Sequence, residues 1–307
     1  MGLKRNFYEK ILLVILILLG QTRSLSCQIN EKDFPILKGP YLGQEPPDLK
    51  PKIFAPGVVS TEYINHSTIC ISPDGIEIFW AMAPLDTPSR IYFSKNENGI
   101  WTKPKIISFT ESEDGDCPVL SPDGGKLFFN SNRPISLNSN RRERIWCVER
   151  IPGGWGIPFP LGSEINADHL HWQISVDRDG NLYFGSERSG SKGRDDVFIA
   201  EYINKVFKNP YSLSSEINSE DHEGTPYISP DGAYLIFCRN GLRISFKQNN
   251  GLWTKSVYMG DNFKNGICPY VSPDGKYIFF LEMGMGHNDV YWASAKVIEE
   301  IRNKVLK

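Results

Sequence analysis

The sequence carries little that suits a nucleic-acid-binding or membrane-spanning protein. Its 34 Lys and Arg are balanced by 36 Asp and Glu, and a formal net charge of −2 provides no basic field to attract nucleic acid. Its longest apolar run, residues 11–19, is too short to cross a bilayer comfortably. Both classes are therefore excluded, and contact with a membrane is expected only through an anchor near the N-terminus.

Motifs of several common enzyme classes are also missing. The chain has no Gly-x-Ser-x-Gly nucleophile elbow and no phosphate-binding Gly-x-x-x-x-Gly-Lys loop. It has six cysteines but no Cys-x-x-Cys pair, which argues against thiolate zinc sites and dithiol redox centres. No catalytic residue is assigned, and a non-catalytic role is favoured over an enzyme.

The N-terminal segment has the features of a signal peptide, because Lys4, Arg5 and Lys10 precede the apolar run. Cys27 follows Ser-Leu-Ser, where a bacterial lipoprotein would be cleaved and lipidated; plain secretion with an incidental Cys27, or an uncleaved anchor, is the alternative. We expect residues 1–26 to be a signal peptide and residues 27–48 a linker. The protein is then exported, to the periplasm or outer membrane as a lipoprotein, or as a secreted protein.

A repeated turn organises the rest of the chain. Ser-Pro-Asp-Gly occurs four times, and Asp-Arg-Asp-Gly is a degenerate fifth copy; their aspartates are Asp74, Asp123, Asp179, Asp231 and Asp274. The steps between them are 49, 56, 52 and 43 residues. A period near 50 is typical of propeller blades, which are four-stranded sheets. The 12% of aromatic residues, with 27 Gly and 21 Pro, also favour many short strands.

The turn itself has a structural explanation. Pro presets its backbone angle, Asp bonds the local backbone and Gly accepts a positive φ. Apolar strands follow every copy, so the motif residues are predicted to be structural rather than catalytic. We predict an all-β, five-bladed β-propeller over residues 49–307.

The last repeat lacks the outer strand that ends the earlier ones. Residues 49–53, Leu-Lys-Pro-Lys-Ile, resemble residues 101–106, Trp-Thr-Lys-Pro-Lys-Ile. We expect this N-terminal strand to join the last blade and close the ring, which removes the open sheet edges. A six-bladed ring, with residues 34–54 as a shortened extra blade, is the alternative.

The repeats resemble those of the TolB-type, WD40-like Pro-Asp repeat (PD40) propellers of the bacterial cell envelope, over roughly residues 50–295. Residues 185–198 and 215–218 are particularly similar to repeats found beside peptidoglycan-binding OmpA-type domains, although peptidoglycan attachment is not carried over. The resemblance implies an exported scaffold or binding protein that presents its channel face to an envelope protein or a glycan. We expect it to be a monomer.

Histidines fall in equivalent loops of the predicted ring. The position eight residues before each turn aspartate lies where one blade leads into the next, beside the channel. From these positions and their neighbours, the candidate ligand-binding residues are His66, Asp116, His169, His171, His222 and Glu223. The alternative interpretation is that these polar residues only shape and cap the loops.

Imidazole and carboxylate groups that converge on one channel mouth could bind a divalent metal ion, with His66, His171 and His222 as ligands. The TolB-type family also includes oligogalacturonide lyases, in which the channel holds a His-coordinated metal beside an acidic sugar. A metal-dependent carbohydrate-active enzyme is therefore the alternative function. Five-bladed glycosidases place paired carboxylates on inner strands; the predicted inner strands 68–71, 118–120 and 226–228 have none, which argues against that class.

Three further expectations concern local structure. Cys70, Cys117 and Cys268 stand in strand-like contexts and are expected to be small buried apolar residues, although the sequence leaves one disulfide open. The arginine-rich residues 141–144 are expected to form a solvated hairpin loop. Residues 296–307 are expected to form a short helix covering the propeller rim.

Overall fold

The structure is a computed structural model that describes residues 34–84, 86–136, 141–167, 170–283 and 288–307, with the backbone alone for residues 170–172 and 283. The chain divides into two units, Met1–Ile36 and Leu37–Lys307, and the following account concerns the second. The predicted signal peptide, Cys27 and His169 lie outside the described residues. Within the described part of the chain, no helix combines the length and apolar character needed to cross a bilayer.

Short antiparallel strands are the main regular secondary structure of the second unit, as the many aromatic and turn-forming residues predict. The strands are β1 (Lys52–Ile53), β2 (Ile64–Asn65), β3 (Cys70–Ile71), β4 (Glu77–Ala83), β5 (Arg90–Glu97), β6 (Ile100–Trp101), β7 (Lys105–Ile106), β8 (Asp116–Leu120), β9 (Lys126–Ser131), β10 (Arg144–Ile151), β11 (Gly154–Trp155), β12 (Phe159–Pro160), β13 (Leu170–Val176), β14 (Leu182–Ser186), β15 (Asp196–Ala200), β16 (Tyr202–Ile203), β17 (Val206–Phe207), β18 (Tyr211–Ser212), β19 (Gly224–Ile228), β20 (Tyr234–Cys238), β21 (Leu242–Phe246), β22 (Val257–Tyr258), β23 (Gly266–Val271), β24 (Tyr277–Met283) and β25 (Asn288–Ser294). The described helices are α1 (Ser163–Asn166) and α2 (Lys296–Val305), with short 3₁₀ helices at Tyr41–Gly43, Ser108–Thr110 and Asp261–Phe263.

The described strands form five main sheets, one for each repeat, and a separate two-stranded hairpin of β16 and β17 in the third repeat. Blade 1 contains β2–β7, blade 2 β8–β12, blade 3 β13–β18, blade 4 β19–β22, and blade 5 β23–β25 together with β1. The innermost strands β3, β8, β13, β19 and β23 contact one another in succession around a channel. The predicted five-bladed β-propeller is confirmed.

The N-terminal strand closes the ring as predicted. Strand β1 pairs with β25 in blade 5, with Lys52 opposite Trp292 and Ile53 opposite Tyr291. Phe54 then continues the pairing, because its backbone N–H donates to the carbonyl oxygen of Val290 at 2.7 Å. The six-bladed alternative is wrong, since this strand completes the fifth sheet and does not begin a sixth.

The Ser-Pro-Asp-Gly turns are structural, as predicted. In each of the four, the Ser hydroxyl donates to the Asp carboxylate at 2.5–2.7 Å, and the Gly N–H donates to the Ser carbonyl oxygen at 2.8 Å. Burial opposes ionisation of Asp274, but hydrogen bonds from Tyr41 and Ser272 outweigh it and lower its pKa to about 2. In the degenerate turn Asp177 replaces the serine, and its Oδ1 accepts the N–H groups of Asp179 and Asn181 at 3.0 and 2.9 Å.

The two ends of the ring differ in composition. We call the end that carries the five repeated turns the turn face, and the opposite end, where the innermost strands begin, the loop face. At the turn face the channel is a narrow cavity of about 210 Å³, lined mostly by apolar side chains and turn prolines. Side chains also bond neighbouring inner strands: the Cys268 N–H donates to Thr225 Oγ1 at 3.1 Å and the Ile228 N–H to Ser175 Oγ at 2.9 Å.

The thiols and the C-terminal helix lie where the sequence predicts. Cys70, Cys117, Cys147 and Cys268 are buried, Cys238 is half-buried, and none of these five forms a disulfide with another. Burial raises the pKa of the Cys70 thiol to about 12. Helix α2 buries Ile298 in the core shared by blades 4 and 5, with Val297, Ile301 and Val305 packed around it.

Candidate functional site

The loop-face candidates are placed by the starts of the inner strands. Asp116 is the first residue of β8, His66 stands just after β2, and Glu223 stands immediately before β19. His171 lies within β13, where it is paired with Gly185; its side chain is outside the described structure. The sequence therefore predicts the common location of these residues, and the question is which of them meet.

His66 and Asp116 meet across the boundary between blades 1 and 2. His66 Nδ1 lies 2.8 Å from Asp116 Oδ2, and the other carboxylate oxygen accepts the Cys117 N–H at 2.7 Å. The hydrogen bond to Asp116 raises the pKa of His66, although burial opposes the shift. The pair holds the imidazole in one orientation and leaves it half-exposed.

These two residues border an open pocket of about 460 Å³. Its lining residues come from the facing loops of blades 1 and 2, and all except Pro88 have polar side chains: His66, Pro88, Ser89, Arg90, Ser112, Glu113, Asp114, Asp116, Asn130, Ser131, Asn132, Arg141 and Glu143. Cations, carboxylates, amides and hydroxyls thus share one concave surface. We call it the loop-face pocket.

Glu143 is the residue of this pocket that the sequence analysis missed. Asn130 Nδ2 donates to Glu143 Oε1 at 3.1 Å. Burial, reinforced by the nearby Asp116 and Asp114 carboxylates, raises the pKa of Glu143 to about 7. A carboxyl group that is half protonated near neutral pH therefore lies within electrostatic reach of Asp116, and such pairs are typical of functional sites.

Two sequence-based expectations are corrected here. Residues 141–144 are not uniformly a solvated loop: Arg141 and Arg142 are exposed, but Arg144 begins β10 and is buried. The inner strand of blade 2 also begins at Asp116 and not at Pro118. That strand therefore does carry a carboxylate, and the argument against a glycosidase that relied on its absence fails.

Buried arginine fixes one wall of the pocket. Arg133 donates through Nη2 to the carbonyl oxygens of Phe109 and Asp114 at 2.9 and 3.1 Å. The Asp114 carboxylate accepts Ser131 Oγ at 3.0 Å and the Asn132 N–H at 2.8 Å. At the rim, Arg141 donates to Glu113 at 3.0 Å. Most of the wall is thus held by bonds within the protein before any ligand binds.

His222 and Glu223 belong to a separate cluster near blades 3 and 4. His222 Nδ1 lies 2.5 Å from Asp195 Oδ2. Glu223 is fully buried and accepts bonds from Arg239 at 3.1 Å and from the Ser219 hydroxyl at 2.6 Å. Neither residue lines the loop-face pocket, and the satisfied bonds of Glu223 fit a role in holding its loop.

Of the three proposed metal ligands, the structure describes the side chains of His66 and His222, and it does not bring these two together. His66 and His222 are bonded to different carboxylates. Among the described residues, no group of three or more His, Cys, Asp or Glu side chains is arranged to hold a metal ion. Because the His171 side chain and His169 lie outside the description, the metal site remains a prediction.

Comparisons with known proteins agree on the fold. The catalytic domain of the Coprinopsis cinerea GH62 α-L-arabinofuranosidase has a TM-score of 0.52 at 9% identity, over 81% of this chain and 97% of that one. A gluconolactonase from Xanthomonas campestris has a TM-score of 0.50 at 10% identity, over 84% and 86%. TolB from Acinetobacter baumannii, the type of protein that the repeats resemble, has a TM-score of 0.48 at 16% identity, over 74% and 56%.

No family model matches the chain, and no curated protein matches it in sequence. The chain spans 56% of the length of the TolB structure. At these identities the similarity concerns the fold alone, which supports unrelated functions in different proteins. The function must therefore be argued from the loop-face pocket.

Proposed function

We propose that this protein is an exported, non-catalytic binding propeller that holds a glycan in the loop-face pocket. The observation that supports the proposal is the composition of that pocket, in which Arg90, Arg141, Asn130, Asp116 and Glu143 share one concavity of about 460 Å³. This volume lies within the usual range of small-molecule sites, roughly 300–1,000 Å³.

The chemistry of the lining favours a hydroxyl-rich ligand over a protein surface. Each sugar hydroxyl both donates and accepts, and the pocket offers acceptors on Asp116 and donors on Arg90 and Arg141 within the same walls. Protein interfaces have, in contrast, an apolar core with charged groups at the rim. The pocket is concave, its side chains are polar, and hydrogen bonds within the protein hold one of its walls. These features fit a glycan better than a protein partner, which the sequence analysis also allowed.

Saturation-transfer NMR with three probes tests the proposal: cellobiose, the N-acetylglucosamine disaccharide and digalacturonate. We expect transfer to at least one of them, and Asp116→Asn and Glu143→Gln should each weaken binding about tenfold or more, because each replaces a carboxyl group that bonds sugar hydroxyls. Glu97→Gln, at an exposed glutamate of the opposite face, is the matched control. Binding of none of the probes, or binding that both pocket variants leave unchanged, would contradict the proposal.

A carbohydrate-active enzyme is the second candidate, and the raised pKa of Glu143 beside Asp116 is the observation that favours it. Glu143 would give its proton to the glycosidic oxygen of the leaving group, while Asp116 would take a proton from the attacking water. Release of reducing ends from the bound probe, lost in Glu143→Gln even at probe concentrations that saturate the variant, would establish hydrolysis. Binding without turnover would leave the protein a lectin-like binder.

The metal-dependent form of that candidate requires His171 to join His66 and His222. Elemental analysis of the purified protein and of the His66→Ala/His171→Ala/His222→Ala variant tests it directly. A stoichiometric divalent metal lost in the variant would support it. Metal-free protein that still binds its glycan would reject it.

Export follows from the predicted signal peptide, and lipidation of Cys27 is part of the same proposal. Mass spectrometry of the mature N-terminus distinguishes the versions. A diacylglyceryl-modified Cys27 in the membrane fraction identifies a lipoprotein. An unmodified N-terminus in the soluble fraction identifies a secreted or periplasmic protein, and a retained leader would contradict cleavage after residue 26.

A further inference from the structure

A second cleft lies between blades 2 and 3 on the turn face, away from the loop-face pocket. Its volume is about 740 Å³. Phe128 and Leu161 of blade 2 and Val176 and Phe207 of blade 3 form apolar walls, and they belong to the core shared by these blades. We call this space the 2–3 cleft.

Comparison of the repeats shows how the hairpin beside this cleft differs from its equivalents. Each of the first four blades has an outer hairpin in which an aromatic residue faces a residue of the preceding strand. The pairs are Asn96 with Trp101, Arg150 with Trp155, Tyr202 with Phe207, and Lys247 with Trp253. Blade 3 therefore has Phe where the other three blades have Trp.

The tryptophans fill the equivalent spaces elsewhere. Trp155 packs against the core between blades 1 and 2, where it contacts Phe79 edge-on with ring centroids 6.2 Å apart. Its other face is covered by the guanidinium of Arg150, 4.2 Å from the ring centroid. Trp253 packs against the core between blades 3 and 4, under Lys247 at 5.7 Å. Each of these clefts thus contains an indole covered by a cation.

In blade 3 this position holds the smaller Phe207, which lines the open cleft. The Phe207 ring lies 4.9 Å from that of Tyr202, centroid to centroid and tilted by 48°. Tyr202 occupies the position of Arg150 and Lys247 in the other hairpins. The cation is nevertheless present, since Lys126 of blade 2 lies 5.3 Å from the Tyr202 ring centroid. The 2–3 cleft therefore has the walls and the cation of its equivalents but lacks the indole.

The rim of the cleft adds a charge preference. Its carboxylates are Asp123, Glu149, Glu164, Asp177 and Asp179, and its cations are Lys126, Arg178 and Lys205. Carboxylates outnumber cations by five to three, so the rim favours positively charged groups around an apolar anchor. The outer edge carries further exposed apolar side chains, Phe159 and Val206 among them, which is typical of interaction surfaces.

We infer that the 2–3 cleft binds a segment of a partner protein that inserts an aromatic side chain, preferably Trp, flanked by basic residues. The inserted ring packs beside Phe207, against the apolar walls that Phe128, Leu161 and Val176 provide. An aromatic residue anchored in a preformed pocket is the usual form of an interaction hot spot. This site is independent of the loop-face pocket, which lies on the opposite face of the ring.

Three tripeptides test the inference by saturation-transfer NMR and titration: acetyl-Lys-Trp-Lys-amide, acetyl-Glu-Trp-Glu-amide and acetyl-Lys-Ala-Lys-amide. We expect the first to bind in the millimolar range or better, the second at least threefold more weakly because of the acidic rim, and the third not detectably. Absence of binding by the Lys-Trp-Lys peptide at millimolar concentration would overturn the inference. Equal binding of the Trp and Ala peptides would overturn it as well.

Phe207→Trp provides the matched variant, because it supplies the missing indole from within the chain. It should lower the affinity for the Lys-Trp-Lys peptide at least tenfold and leave the protein folded by circular dichroism. Tyr211→Trp, at an exposed position outside the cleft, should leave the affinity unchanged. If Phe207→Trp is misfolded, Phe207→Ala serves instead: it enlarges the cleft and should retain binding. Binding that survives in folded Phe207→Trp, or that is lost in Phe207→Ala with a native spectrum, would contradict the inference.

Discussion

Gln173 and Pro269 are joined by a hydrogen bond across the channel. Gln173 Nε2 of blade 3 donates to the carbonyl oxygen of Pro269 in blade 5 at 2.6 Å, although blade 4 separates the two in the ring. Gln173 is only 4% exposed. The contact therefore connects two non-adjacent blades in the interior. It is a polar contact across a channel whose other described lining is mostly apolar.

Gln173→Ala should destabilise the protein. The substitution leaves the Pro269 carbonyl oxygen buried without its donor, which costs about 1–3 kcal/mol. Urea unfolding followed by fluorescence measures the change. Gln248→Ala, which removes an exposed amide from a turn-face hairpin, is the control and should change stability by less than about 0.5 kcal/mol. Equal effects of the two substitutions would show that the bridge contributes nothing.

Phe54→Ala tests the closure of the ring. Phe54 is fully buried, and its ring lies 5.1 Å from that of Phe279 and 5.2 Å from that of Trp292 in blade 5. Loss of such a side chain costs about 3–5 kcal/mol, so the urea midpoint should fall markedly. Ile53→Ala, one residue earlier and 40% exposed, should cost far less. If both variants unfold at the wild-type midpoint, the N-terminal strand does not hold the ring together.

The blade count, the turns and the closing strand could be predicted because each depends on a local pattern that is repeated. The start of the inner strand in blade 2 could not. Proline in a sheet is typical of the first residue of a strand, which suggests a start at Pro118, but Cys117 adopts a positive φ of 46° and the strand shifts register between Asp116 and Val119. This bulge allows the strand to continue through Pro118, and it places the Asp116 carboxylate at the mouth of the channel.

Glu143 and the 2–3 cleft were missed for a different reason. Glu143 follows the longest insertion of its repeat, so no equivalent position in the other blades indicates that it returns to the pocket beside Asn130. The cleft depends on the difference in size between Phe207 and the equivalent tryptophans. The substitution is visible in the sequence, but its consequence appears only when the neighbouring blade is in place.

The buried thiols should be unreactive until the protein unfolds. Thiolates are the reactive species, and burial raises the pKa of both Cys70 and Cys147 to about 12. In a Cys27→Ser/Cys238→Ser variant, Ellman's reagent at pH 8 should label fewer than one thiol per native chain and four in urea. Rapid labelling of the native protein would contradict the burial of these residues. Labelling of only two thiols in urea would reveal a disulfide.

Glu143→Gln should change how stability depends on pH. The pKa of Glu143 is raised from 4.5 to about 7, so between these values the native state binds more protons than the unfolded chain. Its contribution to stability therefore falls as pH rises through this window and is constant above it. The raised pKa of His66 acts in the same direction, because stabilisation by the protonated ring is lost as pH rises through that pKa.

The Glu143→Gln variant removes the pH-dependent contribution of Glu143 and keeps that of His66. Because Glu143 is only half-buried, we expect the stability of the variant relative to wild type to rise by about 1–2 kcal/mol between pH 5 and pH 8. Urea unfolding at both pH values measures this difference. Glu97→Gln should shift stability equally at the two pH values. A Glu143→Gln variant that behaves in the same way would show that Glu143 titrates normally, and the case for hydrolysis in the loop-face pocket would lose its support.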